Sequence, residues 1–296
     1  ECAMRWERLR RSSHVTDSRG QGRGGGRLPG GGKGLGLTGI VIVLLLAWAM
    51  GKNPLELLSL LDGGLPQSSS GESAEQRLPD PQDPAVEFVR AVLGDTEDAW
   101  AELFAAAGSR YEPARLEVFE GGVTTACGFA SSAVGPFYCP GDRKVYIDLQ
   151  FFRELETRFR AAGDFAQAYV IAHEVGHHIQ TLTGVSARVN AARQRGEEVK
   201  GDGGLLVRQE LQADCYAGIW AHSAQRRFDI LEPGDLEEAL NAATAIGDDR
   251  LQQQAQGRVV PDAFSHGTSE QRVRWFRRGF EEGSVAACDT FAVARL

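Results

Sequence analysis

The sequence predicts an α+β fold dominated by helices, with a small β-sheet and a single transmembrane helix ahead of the folded body. Three observations carry that prediction. Long stretches of the C-terminal two thirds repeat apolar residues at helical spacing, only two short stretches alternate apolar with polar residues, and one uncharged run lies near the start.

The elements follow in chain order. Residues 1–36 hold seven arginines and one lysine against Glu1, Glu7 and Asp17, a net +5, so the rest of a chain of net charge -8 must carry -13. Residues 1–34 therefore read as a basic cytoplasmic segment, with Met4 a candidate start after three leading residues. The run Leu35 to Met50, LGLTGIVIVLLLAWAM, has no charge, and 35–51 reads as a membrane anchor whose basic flank stays inside. This expectation places the body, 84–296, on the outer face of a bacterial cytoplasmic membrane as the periplasmic or extracytoplasmic part of a single-pass protein in contact with the lipid bilayer. The small-x-small pattern Ala47-Trp48-Ala49 leaves a cleaved signal peptide as one alternative, and the length of the run leaves a buried core helix as another. An acidic body excludes nucleic acid as its main partner.

Residues 52–83 are rich in Gly, Ser and Pro and read as a flexible linker. Pro84 suits a first helical turn, and AVEFVRAVL and TEDAWAELFAAAG read as two helical pieces separated at Gly94, with Asp95 as a cap. Leu116 to Glu120 and Lys144 to Leu149 are the two strand candidates. Asp164 to Leu182 reads as one helix, 185–204 as an exposed polar excursion, Leu205 to Gln225 and Asp235 to Gln254 as two further helices. Thr268-Ser269-Glu270-Gln271 is a capping box opening a last helix through Phe280. Its arginines, Arg272, Arg274, Arg277 and Arg278, read as a solvated or salt-bridged face. Of five cysteines, Cys2 falls in the head and Cys127, Cys139, Cys215 and Cys288 fall in the body. An even number there fits disulfides in an oxidising compartment, with Cys127 and Cys139, which bracket a Gly/Pro loop, the most natural pair.

The chemistry lies in AHEVGHHIQ, residues 172–180. His173 and His177 are one helical turn apart and can reach a single ion, while Glu174, one residue on, can lean over its open side. His178 is rotated away and reads as a partly exposed neighbour. A catalytic zinc needs a third protein ligand, and Glu210 and Asp214, spaced i and i+4 in ELQAD, are the candidates. Periodicity leaves open which of them binds metal and which accepts the free N–H of a ligand imidazole. His266, in the polar SHGTS turn, is the candidate donor to an oxyanion, with Tyr216 or Tyr146 as alternatives.

HEVGH, QELQADCYAG, GPFYCPGDRKVYIDL and FSHGTSEQR together resemble the bacterial neutral zinc metallopeptidase family, membrane-anchored relatives of the zincins whose pattern is HExxH followed by ExxAD. The resemblance runs from about Pro84 to Phe291 and includes the MRWE at Met4. It implies a zincin-like metalloprotease domain with one Zn2+ held by His173, His177 and Glu210, with Asp214 orienting a histidine. It also implies a metalloendopeptidase acting on peptide or protein substrates, with Glu174 as general base. In zincins an edge strand pairs with extended substrate, and one of the two strand candidates would serve, with the Cys127 to Cys139 loop at the cleft rim. The competing expectation is a non-catalytic, metal-stabilised binding or scaffold protein, and a weaker one is a hydrolase of non-peptide bonds. A structural zinc has four protein ligands and no use for Glu174, which favours catalysis.

Overall fold

The structure is a computed structural model that describes residues 4–20, 80, 82–157, 163–249, 251 and 259–296. The expected anchor at 35–51 and the linker up to residue 79 lie outside the described residues. Among those described, no helix is long and apolar enough to cross a membrane.

Of the segment expected as a separate cytoplasmic head, 1–34, the described residues 4–20 are instead part of the folded body. Residues 4–20 belong to the same compact unit as the chain from 80 onward. They contribute strand β1 (Val15–Asp17) and bury Met4, Leu9, Ser12 and Val15. Charge explains the correction. Arg5 pairs with Asp229 and Glu232, Arg10 with Glu97 and Asp98, Arg11 with Glu87, and Arg19 with Asp83, so the basic start answers the acidic body directly.

Helix α1 (Pro84–Ala106) is continuous where two pieces were expected. Asp83 caps it and Pro84 fills the first turn. Gly94 does not break it; a Cβ there would lie 2.2 Å from the carbonyl oxygen of Arg10, so glycine admits the N-terminal segment against the helix. Asp95, expected as a cap, is buried inside the helix and accepts from Trp220 and Arg227.

A four-stranded sheet has the order β1-β2-β6-β5, where β2 is Arg115–Phe119, β5 is Phe137–Cys139 and β6 is Lys144–Asp148. β1, β2 and β6 are parallel, whereas β5 runs antiparallel to β6 at the edge. Leu116, Val118, Val145 and Ile147 face the main core, and the alternate residues Phe119 and Tyr146 form a small second cluster with Cys139. Both strand candidates therefore occupy inner positions. Neither has a free edge, which corrects the expectation that one of them receives substrate. Strands β3 (Gly122–Thr125) and β4 (Gly128–Ser131) form a separate hairpin.

Helix α2 (Gln150–Thr157) leads to α3 (Asp164–Leu182), which is the predicted histidine-rich helix. The polar excursion contains helix α4 (Val185–Gln194), with Val189 and Ala192 buried, so it is not wholly exposed. Helices α5 (Leu205–Phe228), α6 (Asp235–Ala245) and α7 (Ser269–Glu282) complete the body. The expected capping box at Thr268 and Gln271 is present. α6 ends at Ala245, short of the Gln254 expected. Disulfides join Cys127 to Cys139 and Cys215 to Cys288, the second tying α5 to the segment after α7.

Candidate metal centre

α3 runs through the middle of the body, and Phe165, Tyr169, Ala172, Val175 and Ile179 bury its apolar faces. Gly176 lets it press against α5, where a Cβ would meet the Cα and carbonyl oxygen of Ala213 at 3.0 Å. That close crossing brings ELQAD level with HEVGH. Nε2 of His173 lies 3.3 Å and Nε2 of His177 3.5 Å from Oε2 of Glu210. The three ligating atoms lie within 4.8 Å of one another. Bonds of about 2.0–2.2 Å to a tetrahedral ion set ligand atoms roughly 3.3–3.6 Å apart, so the donor set fits zinc.

Asp214 takes the other nitrogen of His173, with Oδ1 2.7 Å from Nδ1, and the same oxygen accepts from the Tyr169 hydroxyl at 2.6 Å. Arg272 donates to both Asp214 oxygens, at 2.8 and 2.9 Å, from α7. His177 is oriented differently: its Nδ1 meets Oε1 of Gln180, whose amide donates to the carbonyl of Gln209. The geometry thus separates the two carboxylates that periodicity left undecided.

Electrostatics agree. Burial raises the Asp214 carboxyl, but Arg272 and His173 outweigh it and hold it at about 2. Burial lowers His173, and Asp214 with Glu210 brings it up to about 10. Burial also lowers His177, and Glu210 turns it upward. Glu210, pushed up by burial, is held well below the usual carboxylate range by His177 and His173. A metal arriving here must displace protons, so binding and pH are linked.

The three groups open into a cleft of about 870 Å³ whose wall includes β5 and the loop before it, as expected for the Cys127 to Cys139 loop, together with Glu174 and His266. Glu174 is largely buried and accepts no hydrogen bond from any described residue. His266 is held by Asp248, whose Oδ1 is 3.1 Å from Nδ1 and whose Oδ2 accepts the backbone N–H groups of Ser265, His266 and Gly267. The hydrogen bond to Asp248 raises the His266 pKa. The backbone N–H groups just before the last helix are thus taken by the chain's own Asp248.

Tyr216 packs on Trp100, and Tyr146 donates to Asp142; neither lines the cleft. His178 is fully buried rather than partly exposed, with Nε2 2.7 Å from the Glu112 carbonyl and Nδ1 3.1 Å from the Tyr138 hydroxyl. Because the carbonyl only accepts, Nε2 carries the proton and Tyr138 donates to Nδ1.

Arg272 is the main correction to the solvated or salt-bridged face expected of the last helix: it is salt-bridged, to Asp214, but buried. The signal was present, since Arg272 stands three, four and seven residues before Trp275, Phe276 and Gly279 on the buried side of α7. Gln180, Tyr169 and Asp248 carried no motif.

The family described as "Putative neutral zinc metallopeptidase" matches residues 4–291. The Escherichia coli K12 protein YpfJ is 47% identical over 294 residues, covering 97% of this chain and 99% of its own. Mycobacterium bovis Mb2605 and Mycobacterium tuberculosis Rv2575 are each 47% identical over 196 residues, 63% of this chain and 65% of theirs. No solved structure matches the chain. Its HExxH and ExxAD side chains converge within a match that spans nearly its whole length, and the chain belongs to the neutral zinc metallopeptidase family.

Proposed function

We propose that the protein is a zinc-dependent endopeptidase of zincin-like architecture. The observation that carries the reading is the convergence of His173, His177 and Glu210 on one point of a wide cleft, with Glu174 beside them and no fourth protein ligand among the described residues. When bound, zinc supplies a Lewis acid that lowers the pKa of water and polarises a carbonyl. His173, His177 and Glu210 hold it, and Asp214 and Gln180 keep the two imidazoles turned to present Nε2. Glu174 takes a proton from the attacking water and returns it to the leaving amine. His266, its Nδ1 engaged by Asp248, offers Nε2 to the developing oxyanion. β5, the edge strand on the cleft wall, pairs with the extended backbone of a peptide. A scaffold would not need the open cleft or Glu174.

Glu174→Gln tests this. It is expected to retain zinc and lose roughly 10²–10⁴-fold in hydrolysis of an unfolded protein. Unchanged turnover in that variant, or turnover insensitive to chelator in the unaltered protein, would overturn the reading.

Membrane attachment through 35–51 stays a proposal with one constraint. β1 and β2 pair in register from opposite sides of that segment in the sequence. Attachment must leave 4–20 and 84–296 on one side of the bilayer. Protease protection of tags placed at the two ends of the chain checks it: protection of only one tag in sealed vesicles contradicts the paired strands.

A further inference from the structure

A second trio of ligating atoms lies at the start of α3, where the carboxyl oxygens of Asp164, Asp235 and Glu238 are within 4.8 Å of one another. Asp164 opens α3 and Asp235 opens α6, so the positive ends of two helices favour acidic residues here. Neither helix start supplies a whole charge. Glu238 accepts the Phe165 N–H at 3.2 Å, and one oxygen of Asp235 accepts the Glu232 N–H at 2.8 Å. The other oxygen, Oδ1, is buried with no hydrogen-bond partner among the described residues, in a residue only 1% exposed. An orphaned carboxylate oxygen among two further carboxylates calls for a cation.

Arg5, whose charge is felt by Asp235, makes its ion pairs outside the trio. Arg5 is engaged by Glu232 at 2.6 Å and Asp229 at 3.2 Å. The backbone nitrogen of Met4 reaches one member of the trio, 3.2 Å from Oδ1 of Asp164. Met4 is itself buried, fixed on its far side by the Arg5 N–H to Ile230 carbonyl bond of 2.9 Å. As an amide, this nitrogen brings one hydrogen and no charge. As a terminal amine, it would bring three hydrogens and a full positive charge to Asp164, whose carboxyl group clusters with those of Asp235 and Glu238, and would make a neutral donor's hydrogen bond a charge-assisted one.

We propose that the trio is a receptor for a primary ammonium group, and that its ligand is the α-amino group of a chain whose first residue is Met4. Occupancy fastens the N-terminal segment, and with it β1, to the start of the helix that carries His173 and His177. Asp164, Asp235 and Glu238 all have pKa values raised by burial, consistent with carboxylates that await a counter-charge.

Three forms of the full protein test the proposal: 4–296 with a free amine confirmed by intact mass, 4–296 acetylated at Met4, and 1–296. Acetylation keeps an N–H and removes the charge. The free-amine form is expected to melt at least about 3 °C above both others, and Asp164→Asn with Glu238→Gln, which preserves the acceptors, is expected to abolish the difference. Should that double variant fail to fold, the free and acetylated forms with intact carboxylates decide the matter. Equal melting of the three forms overturns the proposal. So does a rise in the melting temperature of 1–296 with millimolar calcium that matches the free-amine form, which would make the trio a metal site.

Discussion

α3 takes part in two trios of ligating groups that are oppositely composed, giving His173 and His177 to one in mid-helix and Asp164 to the other at its first turn. His173, His177 and Glu210 mix neutral-capable imidazoles with one carboxylate, and a guanidinium from Arg272 stands behind them through Asp214. Asp164, Asp235 and Glu238 are carboxylates alone, and the adjacent Arg5 is engaged elsewhere. The first site balances its charge from within and can keep a position open for chemistry. The second is short of positive charge and needs something to arrive. Proximity of donors is thus a poor guide to function until the charge around them is counted.

The sharpest way to break this contrast is metal content. His177→Ala is expected to reduce bound zinc from about one per chain to near none, because two protein ligands hold zinc poorly, while Glu238→Ala leaves it unchanged. Elemental analysis of the two purified variants decides it; zinc lost with Glu238→Ala would show that the second trio shares the metal.

Next in size is the charge behind the first trio. Arg272→Met strands Asp214 as a buried, uncompensated carboxylate and is expected to cost about 3–5 kcal/mol in urea unfolding. Arg274→Ala, two residues along on the opposite side of α7 and in an exposed pair with Glu270, is expected to cost under about 1 kcal/mol. Similar losses for the two would mean that Arg272 is not the counter-charge.

The smallest expected effect is one of sign. Asp214, held at about 2, contributes stability that is present above its unfolded value near 3.8 and lost as the pH falls toward 2. Glu238, pushed by burial up to about 7 in the chain with residues 1–3 in place, does the opposite: its contribution is present below about 4.5 and lost as the pH rises through 7. Melting temperatures of 1–296 should therefore decline less between about pH 4.5 and 7 once Glu238→Gln is introduced. An identical slope in that variant would remove Glu238 from the account.

Much of the site was legible in the chain because its parts obey local rules. His173, Glu174 and His177 are set by the rise of one helix, Glu210 and Asp214 by the rise of another, and Thr268 with Gln271 by a helix start. The order of strands, the continuity of α1 through Gly94, the burial of His178 and the membership of 4–20 in the fold were not. Each depends on a partner far along the chain: Val15 on Leu116, Gly94 on Arg10, His178 on Glu112 and Tyr138.

The sequence by itself determined which residues could share a helical face, and so the candidate ligands, the helix-rich class and the cysteines available for pairing. Only the tertiary structure decided that Glu210 faces the imidazole Nε2 atoms while Asp214 stands behind one of them, that Arg272 is the buried counter-charge, and that the basic start folds onto the acidic body. Periodicity reports the angle of a side chain about its own axis, whereas a charge is stabilised or stranded by groups brought from elsewhere, and no local pattern encodes their arrival.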